Sequence, residues 1–127
     1  MATVSLRFPP SAGHVRTARL VAVSVARRLG LDEARLDEVR LAVGEVCARA
    51  VRRCAAGDVT ADVTLEVDDL GPSLSVAVTD QAGRVPEDRD EAVALALIRG
   101  LADEVRVEGG PGGPGGRVWL TWHREPG

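Results

Sequence analysis

A chain of 127 residues with a formal charge of −3 suits one domain built around one core. Apolar residues at 45% and charged residues at 28% exclude a disordered body, and the slight acidity gives no global footprint for nucleic acid or an anionic membrane. All sixteen basic residues are arginine, so neither a phosphate-loop lysine nor a lysine Schiff base is available.

In chain order, Val4, Leu6 and Phe8 alternate with Thr3, Ser5 and Arg7, which predicts a half-buried strand ended by Pro9-Pro10. Ser11 is placed to cap a helix carrying Val15, Ala18, Ala22, Val25 and Leu29 at helical spacing, and Gly30 stops it. Asp32 caps a second helix, whose Leu36, Val39, Val43, Val46 and Ala50 form the clearest amphipathic stripe in the chain. That helix ends near Cys54. Val63, Leu65 and Val67, then Leu74, Val76 and Val78, alternate on either side of a turn at Asp68–Pro72, predicting an antiparallel hairpin that ends at Asp80. Gln81–Asp90 reads as a loop, Glu91–Asp103 as a short buried helix, and Val105 and Val107 as the start of another strand. Gly109–Gly116, GGPGGPGG, predicts a flexible hairpin tip before a last strand with Val118, Leu120 and Trp122.

The order β–α–α–β–β–α–β–β predicts one α+β domain over 1–127. It is a two-layer sandwich, with helices on one face of a mostly antiparallel sheet. Cys47 and Cys54 fall two helical turns apart, on one face but too distant for a disulfide, and read as buried thiols in a reducing compartment. A redox role for them belongs to a third reading, in which the fold serves an unrelated function. His14 and His123 are too far off in sequence to suggest a metal site. No signal peptide and no run approaching a membrane span are visible, so the expected location is the cytoplasm.

Three segments carry a family resemblance. Leu41–Arg53, LAVGEVCARAVRR, resembles the N-box helix of the histidine-kinase-like (GHKL) ATPases, whose fold is the Bergerat ATPase fold. The match is closer to the anti-sigma-factor serine kinases of the RsbW and SpoIIAB type. Glu45 and Ala50-Val51 match, but Arg49 stands at the asparagine position. Val78–Arg84, VTDQAGR, resembles the Asp-x-Gly-x-Gly box that holds adenine; Asp80 matches, Ala82 and Arg84 replace the glycines, and Gly83 falls between them. Ala92–Val105 resembles the second glycine box with its following helix and strand, with Ala92 and Ala94 in place of both glycines.

The resemblance implies Glu45 as a general base, now vestigial, and a degenerate nucleotide site at Arg49, Asp80, Gly83, Ala92 and Ala94. It implies a magnesium ion held at the position that is Arg49 here. Magnesium needs hard oxygen ligands, whereas a guanidinium has only donors and a fixed positive charge. Glu45 and Arg49, at i and i+4, are expected to pair, which would spoil the base. No cofactor is therefore expected, although ATP or ADP, with magnesium or held metal-free by Arg49, stays open. Asp80 reads equally as an adenine contact and as the polar end of a strand. The resemblance further implies a sigma factor or an anti-anti-sigma (STAS) protein as partner, reached through Arg19 on the first helix. Arg19 reads equally as one solvated arginine beside Arg16, Arg27 and Arg28. A homodimer is also implied, with the first strand, carrying Leu6 and Phe8, as a candidate interface edge. The expected function is regulation of transcription by binding such a partner, with little or no kinase activity. An active serine kinase acting on an anti-anti-sigma protein is the alternative.

Overall fold

The computed structural model describes residues 2–83, 89–109 and 116–124. Arg84 and most of the glycine-rich tip, 110–115, lie outside the described residues. The elements run β1 (Ala2–Phe8), α1 (Val15–Leu29), α2 (Glu33–Ala56), β2 (Val63–Asp69), β3 (Ser73–Asp80), α3 (Arg89–Leu101), β4 (Glu104–Glu108) and β5 (Gly116–His123). The five strands form one sheet in the order β1-β2-β3-β5-β4, every neighbouring pair antiparallel. This is the expected α+β sandwich.

The alternation read in the sequence is the register of the layers. Val63, Leu65, Val67, Leu74, Val76, Val78, Val118, Leu120 and Trp122 point inward and are buried. The helices meet them with small and branched side chains: Ala18, Ala22 and Ala26 give α1 a flat stripe, and Leu36, Val39, Val43 and Val46 fill the underside of α2. Phe8 is 3% exposed and belongs to this core, and half-buried Leu6 packs against it. β1 is an edge strand of the sheet, and its apolar side faces inward. Trp122 Nε1 donates to the Leu101 carbonyl at 3.0 Å, tying the end of α3 to β5.

The local stop and start signals behave as their chemistry requires. Gly30 closes α1 with φ 96°, and Asp32 accepts the Arg35 backbone N–H at 2.9 Å at the head of α2. Ser11 does not cap α1: a 3₁₀ turn, Ala12–His14, intervenes, and the Ser11 side chain makes no capping bond. Both thiols are buried, and burial pushes Cys47 up to about 12 and raises Cys54 as well. No helix among the described residues is long and apolar enough to cross a membrane.

Arg35 grips Asp103 with both ends of its guanidinium, at 2.9 and 3.0 Å, and the His123 backbone N–H donates to the same carboxylate at 2.7 Å. Partial burial works against the charge on Asp103, but these bonds outweigh it and hold its pKa below the ordinary carboxylate value. A depressed folded-state pKa contributes stability that is present above the unfolded value and lost as pH falls through the folded one. Thermal melts from neutral pH to below pH ~2 are therefore expected to show Asp103→Asn less stable than the native chain at neutral pH. The gap should close below the carboxylate range, and a gap independent of pH would contradict this.

Candidate functional site

Most of the residues singled out in the sequence lie on α2, at the end of β3 or just past it, and in the first turns of α3; Arg19 lies on α1. The inward alternation of β3 carries past Val78 to Asp80, so its carboxylate is delivered into the interior, 2% exposed. A charge there needs a partner. The partner comes from α2: Arg53 Nε donates to Asp80 Oδ2 at 3.0 Å, and Arg53 Nη2 donates to the Gly83 carbonyl at 2.8 Å. The Ala82 backbone N–H donates to Asp80 Oδ1 at 3.0 Å. Both oxygens of Asp80 are thus engaged within the chain. Gly83, with φ 72°, turns the loop so that its carbonyl faces Arg53.

One turn earlier on the same face is Arg49, 4% exposed. Its Nε lies 2.9 Å from Glu91 Oε2 in the first turn of α3, although the N–H is not aimed squarely at that oxygen. The exposed Arg52 approaches the other Glu91 oxygen at 3.6 Å. Burial lowers the Arg49 pKa, with Glu91 pulling the other way. The expected i,i+4 pair between Glu45 and Arg49 does not form. Glu91, itself buried, takes the guanidinium because α3 packs over α2 and places a carboxylate inside the interface, where the Coulomb attraction is screened least. Ala92 and Ala94 are ordinary helix residues of α3, the first exposed and the second buried.

Glu45 is half-buried, makes no ion pair among the described residues, and lies where two grooves meet. One, about 260 Å³, runs between α2 and α3 and includes Arg52, Val93, Ala94 and Leu97. The other, about 360 Å³, runs between α1 and α2 and includes Arg16, Arg19, Arg40 and Leu41. Arg19 crosses α2 at Gly44, where a methyl group would come within 2.9 Å of its Cδ; the absent side chain is what lets the arginine lie down there.

At the position where the resemblance implies a metal ligand, Arg49 is enclosed with Glu91, and the carboxylate to which it assigns adenine, Asp80, is bound by Arg53 and Ala82. Three members of the cluster escaped the sequence reading: Arg53, Glu91 and Gly116. Gly116 lies opposite Asp80 in the β3–β5 register, and a methyl on it would stand 3.1 Å from Arg53 Nε, Arg53 Nη2 and Asp80 Oδ2. The available signal was the inward position of Asp80, which demanded a buried cation.

The family model described as "Histidine kinase-like ATPase domain" matches residues 8–122. The serine-protein kinase RsbW of Bacillus subtilis (strain 168) is 24% identical over 123 residues, covering 83% of this chain and 77% of that protein. RsbW of Bacillus velezensis is 23% identical over 127 residues, covering 86% of this chain and 79% of that protein. The crystal structure of the RsbU and RsbW domains of a Mycobacterium tuberculosis protein superposes with a TM-score of 0.76 at 21% identity. It matches 97% of this chain, which spans 32% of that longer one.

Proposed function

Because the chain belongs to the histidine kinase-like ATPase domain family, we propose that it is a regulator of the RsbW kind that has kept the fold for binding and given up phosphoryl transfer. Its partner is a sigma factor or an anti-anti-sigma (STAS) protein, and its output is control of transcription. The observation that carries this reading is the closed pair of ion pairs, Arg49–Glu91 and Arg53–Asp80, standing where nucleotide and metal would be held. Phosphoryl transfer depends on positioned phosphates and on a cation that neutralises them, and a buried, neutralised arginine supplies neither. Arg19, beside Arg16 and Arg40 in the groove between α1 and α2, offers a basic surface for the partner. The reading places the protein in the cytoplasm and includes a homodimer.

One observation favours the alternative of an active serine kinase: Glu45, the residue in the general-base position, is not consumed by Arg49. The test is incubation of the protein with labelled ATP, magnesium and a STAS substrate, alongside calorimetry with ATP and ADP. The expected result is no phosphoserine and no nucleotide heat. Phosphoserine that disappears in Glu45→Ala would overturn the proposal in favour of the kinase.

A further inference from the structure

We infer that Arg53 is an internal ligand, occupying a recess that would otherwise accept a free planar N–H donor. The recess has three built walls. The Asp80 carboxylate, held by the Ala82 N–H, supplies one acceptor, and the Gly83 carbonyl supplies another. Gly116 supplies the space, since any side chain there would press on the guanidinium and the carboxylate together. Two acceptors in this arrangement select a flat group presenting N–H donors along one edge. A guanidinium does so; an adenine offers one amino N–H on each edge, beside a ring-nitrogen acceptor, and so meets one of the two acceptors.

The occupant arrives from α2, covalently tethered, so a free ligand competes with a group of high effective concentration. Displacing it would also strand a guanidinium in a position that is 7% exposed, at the cost of an unpaired buried charge. Arg53 is thus a specificity determinant by exclusion: the acceptors of the recess are intact, and the chain saturates them itself. The inference rests on the reading that Asp80 marks the base-binding end of the family's site, and it names what has replaced the base.

A plain structural ion pair and an internal ligand differ in one respect: only the second leaves a usable site when the side chain is removed. The experiment compares the native chain, Arg53→Ala and Arg53→Ala/Asp80→Asn by calorimetry and thermal shift, with ethylguanidinium and with ADP in the absence of metal. Arg53→Ala is expected to bind ethylguanidinium at least about tenfold more tightly than the native chain, and to lose that gain when Asp80 is also changed. ADP binding by Arg53→Ala alone would extend the result to the purine. If Arg53→Ala folds only when ethylguanidinium is supplied, the inference also stands. If it folds under neither condition, Arg53→Gln, which keeps a planar N–H donor but shortens it, is measured instead, and no gain for either ligand overturns the inference. Failure of folded Arg53→Ala to bind ethylguanidinium overturns this inference and leaves the proposed function untouched. ADP bound equally by the native chain and the variant overturns both.

Discussion

Glu91→Ala is expected to destabilise the fold by about 3–5 kcal/mol, the range for removing one partner of a buried ion pair. The loss comes less from the attraction forfeited than from the charge left behind. Arg49 is enclosed between α2 and α3, and Asp80, whose charge also acts on it, is already held by Arg53. Glu91 also lies in the first turn of α3, where a carboxylate is favoured by the helix dipole. The control is Arg49→Met/Glu91→Leu, which removes both charges and keeps the volume apolar. It is expected to fall within about 1 kcal/mol of the native chain or above it, since desolvating an ion pair costs as much as the pair returns. Urea unfolding of the three proteins decides the matter. A single-variant loss under about 1 kcal/mol would mean that Arg49 finds another partner or reaches water.

Trp122→Ala is expected to cost a similar amount, about 3–5 kcal/mol. Trp122 is among the largest fully buried side chains, and it does two jobs at once. Its ring fills the inner face of β5, and its N–H satisfies a carbonyl at the end of α3, one of the acceptors that a helix cannot satisfy for itself. Trp122→Phe separates the two, retaining most of the packing and losing the bond, and should cost about 1–3 kcal/mol. Equal losses for the two variants in urea unfolding would show that the ring's bulk contributes nothing, contrary to its burial.

The architecture was legible because it is written in local periods. Alternation placed Val63 through Val67 and Leu74 through Val78 on their inward face, and Gly30 and Asp32 announced the break between α1 and α2 through backbone chemistry that acts within a few residues. The site was less legible for the same reason. Arg53 and Asp80 are twenty-seven residues apart, and a helical i,i+4 rule sees only neighbours, so it offered Glu45 to Arg49 when the tertiary partner was Glu91. The run ARAVRR presents three arginines with nothing local to distinguish them. What distinguishes them is the face of α2 each occupies: Arg49 and Arg53 turn inward, and Arg52 turns out. Had the alternation of β3 been continued by one more step, Asp80 would have been placed inside, and the need for an arginine beside it would have followed.

The two borders of the sheet are unlike. On β4 the residues Glu104, Arg106 and Glu108 are all charged and exposed, over a strand of five residues. On β1 the strand is seven residues long, and its solvent side carries two small hydroxyls, Thr3 and Ser5, and a single charge, Arg7. The molecule therefore has one receptive flank and one guarded flank. A further strand laid against this sheet is received more readily at β1 than at β4.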